Sequence, residues 1–100
     1  MDLWVKMANL VFELEKKLPA NPSLQRNVDR MKSVLEEAGL LLLNPLGEPY
    51  SETRTDLEAS IAGAGKAPLQ VLDVIKPVVY ARQAGGRALV QKGVVIVGHP

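Results

Sequence analysis

The chain has 100 residues, with 12 basic and 11 acidic side chains, 47% hydrophobic residues and no cysteine. That is room for one domain burying roughly 60 to 65% of its unfolded surface, and it excludes disulfides, thiolate metal sites and cysteine nucleophiles. The aromatics are only Trp4, Phe12, Tyr50 and Tyr80, and the lone histidine, His99, is next to last. An aromatic-lined cofactor pocket, a base-stacking platform and a His-centred metal site therefore lack material, and partner binding is expected rather than enzymatic chemistry.

Leu3, Met7, Leu10 and Leu14 follow the spacing of a helix face, and Trp4, Val11 and Leu18 form a second stripe beside it. An arc this wide asks for a partner helix beyond the chain's own cover, so these seven residues are expected at a dimer interface. The same stretch, "MDLWVKMANLVFELEKK", is charged throughout, unlike a signal peptide, and no apolar run approaches the roughly 20 residues of a membrane span. The default expectation is a cytoplasmic protein with no membrane partner.

Pro19 ends this helix, Asn21 can cap the next, and Pro22 suits its first turn, where the missing N–H has no helical partner. Leu24, Val28, Met31 and Leu35 repeat the helical spacing, Val34 and Ala38 broaden the face, and Gly39 stands where a left-handed cap prefers glycine. An antiparallel helical hairpin is predicted over 1–43, ending in a leucine-rich exit.

The next stretch, "NPLGEPYSETRTDLEAS", carries Glu48, Glu52, Asp56 and Glu58 among proline and glycine. Acid and base catalysis would need one carboxylate desolvated, and nothing around them is apolar enough, so 44–56 is read as a hinge. "LEASIA" fits a short strand or a helix. "SIAGAGKAPL" fails as a phosphate loop, because Ser60 occupies the position of the first glycine and Ala67 that of the Ser or Thr after the lysine.

Residues 69 to 81 are rich in β-branched side chains, "RQAGGR" offers a glycine turn, and "ALVQKGVVIV" is a second β-like run, which predicts a hairpin in a small twisted sheet over 57–100. An edge, bulge or bend is expected at Pro77, which cannot donate to a ladder, and at Gly93. Charge is uneven: six basic against six acidic residues in 1–43, one against four in 44–60, and five against one in 61–100. Lys66, Lys76, Arg82, Arg87 and Lys92 would track a nucleic acid only if they shared a face with interleaved aromatics, and Tyr80 is alone there.

The order of these parts resembles the GrpE family, nucleotide exchange factors of DnaK-type chaperones. The residues that carry the likeness are "SVLEEAGLLLLNPLGEPYSE", "LEASI" and "LDVIKPVVYARQAGGRALVQKGVVIV", and "DLWVKMANLVFELEKKL" is similar to the helix that opens the family's bundle. Ser51 and Glu52 depart from the family's Asp-Pro, Leu57 from its usual histidine, and the segment before Arg87 is longer. The family's long N-terminal helix has no counterpart in these residues, so an excised head or a minimal relative is expected.

The resemblance implies an α+β homodimer, a four-helix bundle of helical hairpins with a β wing on each subunit. It implies a stress-response co-chaperone, not an enzyme, that docks on the chaperone's nucleotide-binding domain and favours an open cleft, with no cofactor or metal of its own. Arg87, Ile75 and Val97 correspond to wing contacts, and Tyr50 and Leu46 to the junction of bundle and wing. The alternatives are an adaptor of the same fold that binds without promoting exchange, and a basic nucleic-acid module.

Overall fold

The first helix, α1 (Asp2–Lys17), stops before Pro19, and α2 (Pro22–Glu37) begins at the proline expected to open it. The computed structural model describes residues 2–66 and 68–100. The Asn21 side-chain oxygen accepts from the backbone N–H of Ser23 (2.9 Å) and Leu24 (3.2 Å), satisfying two donors that the helix itself cannot. At the other end Gly39 takes a φ of 91°, a left-handed conformation that only glycine adopts without strain, and turns the chain out of α2.

Among the described residues seven strands follow: β1 (Leu40–Leu43), β2 (Pro49–Tyr50), β3 (Leu57–Ile61), β4 (Leu69–Lys76), β5 (Val78–Gln83), β6 (Gly86–Gln91) and β7 (Gly93–Gly98). The leucine run, placed with the helical segment on sequence grounds, is thus a strand. Its side chains alternate with period two, Leu40 buried and Leu42 half-buried, Leu41 and Leu43 exposed. "LEASI" is a strand as well, and β3 pairs parallel to β7.

There are two sheets where one was expected, ordered β1-β5-β6 and β2-β4-β7-β3. Each long apolar run is shared between them. The chain leaves the four-stranded sheet at Pro77 to continue as β5, and returns after Lys92, where Gly93 opens β7. The bends expected at Pro77 and Gly93 are these crossings. Register shifts in β4 against β7 at Val71/Asp73 and Val74/Lys76, and in β5 at Val79/Tyr80, add the twist that lets strands switch sheets.

One core cluster, Ala8, Val11, Val28, Leu35, Leu40, Val79 and Ala81, fills the space between the helices and the three-stranded sheet. The other gathers Val71, Val74, Val78, Val95, Val97 and Leu57 around Phe12 of α1. Burying Phe12 contributes about 2 to 3 kcal/mol and fastens α1 to the sheet cluster. Leu42 packs against both clusters. Among the described residues no polar or charged side chain is buried, as suits a small domain that cannot offset unpaired polar groups.

Candidate protein-docking surfaces

The apolar arc of α1 divides as its width required. Ala8, Val11 and Phe12 are buried and Leu18 is half-buried, while Leu3 (79% exposed), Leu10 (58%), Met7, Leu14 and Trp4 face outward. Of the seven residues expected at a dimer interface, Val11 is spent on the chain's own core and Leu18 packs against it. The other five are free to meet another surface. Met31 and Val34 of α2 are also exposed, and together with Trp4, Met7, Val11 and Leu35 they line an apolar groove of about 270 Å³ between the helices.

The proline-rich stretch is stitched to the four-stranded sheet. Glu48 N–H donates to the Pro45 carbonyl (3.0 Å) to close a turn through Gly47. Gly47 N–H then donates to the Val71 carbonyl (3.0 Å), and Val71 N–H returns a bond to the Glu48 carbonyl (2.9 Å). Arg54 forks onto Asp56 (3.0 and 2.7 Å) and reaches Glu48 (3.1 Å) and the Pro49 carbonyl (3.2 Å). The hydrogen-bonded Arg54 guanidinium holds the Asp56 carboxyl below the usual carboxylate range, the opposite of what a general acid needs.

Tyr50 packs half-buried against the sheet cluster, but Leu46 points outward, 56% exposed, and Pro45 is the buried residue beside it. The angle between helices and sheets is held elsewhere. Asn9 and Gln91 exchange two amide hydrogen bonds (2.9 and 2.8 Å), and Gln91 also donates to the Pro77 carbonyl (2.9 Å) at the sheet crossing. Lys16 donates to the Val74 carbonyl (2.6 Å) and pairs with Asp73 at 3.4 Å. With Phe12, these contacts tie α1 to both sheets along its length.

The residues expected on the wing do not share one surface. Val97 is fully buried and offers nothing to a partner; the bulges in β4 place Ile75 outward instead, 49% exposed. Arg87 is the second residue of β6 on the other sheet, its guanidinium 4.1 Å above the Tyr80 ring. Directly across the hairpin stands Arg82, which the sequence reading had only among the general basic residues. The turn is Ala84–Gly85, with Gly86 already paired to Gln83, so counting from the glycine pair of the sequence would set Ala84 against Arg87 and miss this juxtaposition.

Lys66 lies in the β3–β4 loop, Lys76 at the end of β4 and Lys92 between β6 and β7. Apart from Arg82 and Arg87, the basic residues are dispersed over separate elements. The glycine-bearing loop that carries Lys66 leads to β4, not to the helix a phosphate loop requires, and Ala67 lies outside the described residues. Among the described residues no helix is long and apolar enough to cross a membrane. Comparison of the chain with protein-family models, curated proteins and solved structures finds no match.

Proposed function

We propose that the chain is a GrpE-like co-chaperone, a homodimer that binds the nucleotide-binding domain of a cytoplasmic DnaK-type chaperone and promotes ADP release. The observation that carries this reading is the two-sided α1, with one apolar face buried under its own sheets and a second, Leu3, Met7, Leu10 and Leu14, left outward. Exposed leucines on successive turns of a helix are costly in water and are relieved by a second apolar helix face. A twin hairpin supplies one, with Trp4, Met31 and Val34 extending the contact.

The β portion then projects from the paired helices, and the ties through Asn9, Phe12 and Lys16 let it act as a stiff arm. Stiffness matters to the mechanism. A protein that binds the open cleft better than the closed one lowers ADP affinity by the ratio of its two affinities and no more, so a hundredfold effect needs about 2.7 kcal/mol of preference. A loosely hung arm would accommodate both cleft shapes and lose that preference.

Linkage supplies the test. Affinity for the chaperone's nucleotide-binding domain, measured by calorimetry, should fall when ADP is present, by the same factor by which this protein weakens ADP. Equal affinity with and without ADP would contradict exchange and leave an adaptor of the same fold.

A further inference from the structure

Strand β6 lies at the edge of its sheet, paired with β5 on one side and with no strand on the other among the described residues. Gln83 and Gly86 close the turn as a hydrogen-bonded pair, and bonded and non-bonded pairs alternate along an antiparallel ladder. Ala88 therefore bonds to Ala81, while Arg87 and Leu89 turn their N–H and C=O away from β5. Sheets commonly guard such an edge with a charge or a proline. Here β6 holds no proline, and its one charged side chain, Arg87, is drawn back over the Tyr80 ring of β5 at 4.1 Å.

The open edge runs into a cleft. Val90 is the extra residue of a bulge, since Tyr80 faces Leu89 and Val79 faces Gln91, and it is 39% exposed. Across from Val90 and Gln91 stand Asp2, Val5, Lys6 and Asn9, one face of α1 at helical spacing, and together they line a space of about 480 Å³. With about 3.6 residues per turn, this face lies roughly 120° round α1 from the stripe of Leu3, Met7, Leu10 and Leu14. A twin hairpin seated on that stripe approaches from another side.

We infer that the free edge of β6, backed by α1, binds an extended, uncharged segment of another protein as an added strand. The outward N–H and C=O groups decide the class of occupant. A helix has spent its own backbone groups, and neither lipid nor nucleic acid carries donors and acceptors alternating at strand spacing, so an extended polypeptide is what matches them. Side chains on the α1 side of the added strand meet Ala88, whose partner Ala81 belongs to the helix–sheet cluster, and then Val90 and Val5. Asp2 and Lys6 at the cleft cancel in charge, so β-branched Val, Ile and Thr are favoured over either sign. A second copy is disfavoured, because β6 paired antiparallel with its twin about Ala88 brings two Arg87 side chains to diagonal positions within reach of each other. The site goes beyond the exchange reading and does not depend on it.

The test reads backbone amide exchange of the full chain by NMR. In dilute solution the Ala88 N–H is expected to exchange slowly and those of Arg87 and Leu89 fast. Titration with the capped peptide Thr-Val-Thr-Val-Thr should then shift and protect Arg87 and Leu89 saturably. With its valines turned toward α1, the peptide bonds β6 through its threonine N–H groups, so N-methylation of the threonines should weaken binding roughly tenfold or more. V90K, a charge at an exposed position, should weaken it by roughly tenfold while keeping a folded amide spectrum. Slow exchange of Arg87 and Leu89 in the free chain, no saturable shift, equal binding of the methylated peptide, unchanged binding by V90K, or shifts confined to the stripe of Leu3, Met7 and Leu10 would each overturn the site. Protection of the same amides that grows with protein concentration and needs no peptide would give the edge to a second copy and overturn the partner strand.

Discussion

Asn9 of α1 and Gln91 of β6 face each other across 82 positions of sequence and satisfy one another's amides in both directions. Removing either leaves a half-buried amide group without its partner, which costs about 1 to 2 kcal/mol. Asn9→Ala and Gln91→Ala are each expected to lower the urea midpoint, and the double variant to lose less than the sum. A coupling energy of about 1 kcal/mol is predicted, and strict additivity would show that the two amides act independently.

Leu10 is exposed within the chain, so Leu10→Asp leaves the monomer's core untouched. If the outward stripe is the dimer surface, this variant sediments as a folded monomer with undiminished helix signal. Val11→Asp, placing a charge in the helix–sheet cluster, unfolds instead. A Leu10→Asp protein that remains dimeric would show that the stripe faces something other than a second copy.

The Arg54 fork gives the junction a pH dependence with a definite sign. Because the folded-state pKa of Asp56 is lowered, its contribution to stability is present above the ordinary aspartate value and is lost as pH falls through the folded value. Asp56→Asn should therefore lower stability at neutral pH and flatten the acid limb of a stability profile taken by urea titration. An acid limb as steep as that of the unmodified protein would place the titration in other carboxylates.

Gly93 sits where β7 begins, and a Cβ there would meet Leu57 Cδ2 and Val78 Cγ2 at 2.9 Å each. Both neighbours are buried, so neither moves aside freely. Gly93→Ala should cost about 1 to 3 kcal/mol by crowding, and calorimetric melting at an unchanged temperature would show that the crossing yields.

The helical part of this fold was plain in the sequence because local chemistry decides it: the spacing of Leu3, Met7, Leu10 and Leu14, the Asn21 cap with Pro22, and Gly39. The bends at Pro77 and Gly93 were legible for the same reason. What escaped depends on distant pairing. Leucine has no marked β preference, so Leu40–Leu43 becomes a strand only because β5 is there to pair with it. Bulges in β4 move its outward side chains out of simple alternation, which is why Ile75 is exposed, while Val97 belongs to the core. Asn9 and Gln91 gave no sequence signal at all, and Arg82 stands opposite Arg87 because the turn is Ala84–Gly85 and not the glycine pair 85–86.

The release rate of a fluorescent ADP analogue from a DnaK-type chaperone, followed by stopped flow with increasing amounts of this protein, tests the central claim most directly. The account predicts release that accelerates and saturates as the chaperone becomes occupied, and that slows toward the unassisted rate with Leu10→Asp if the dimer positions the arm. An unchanged release rate at concentrations where calorimetry shows the chaperone fully bound would contradict it.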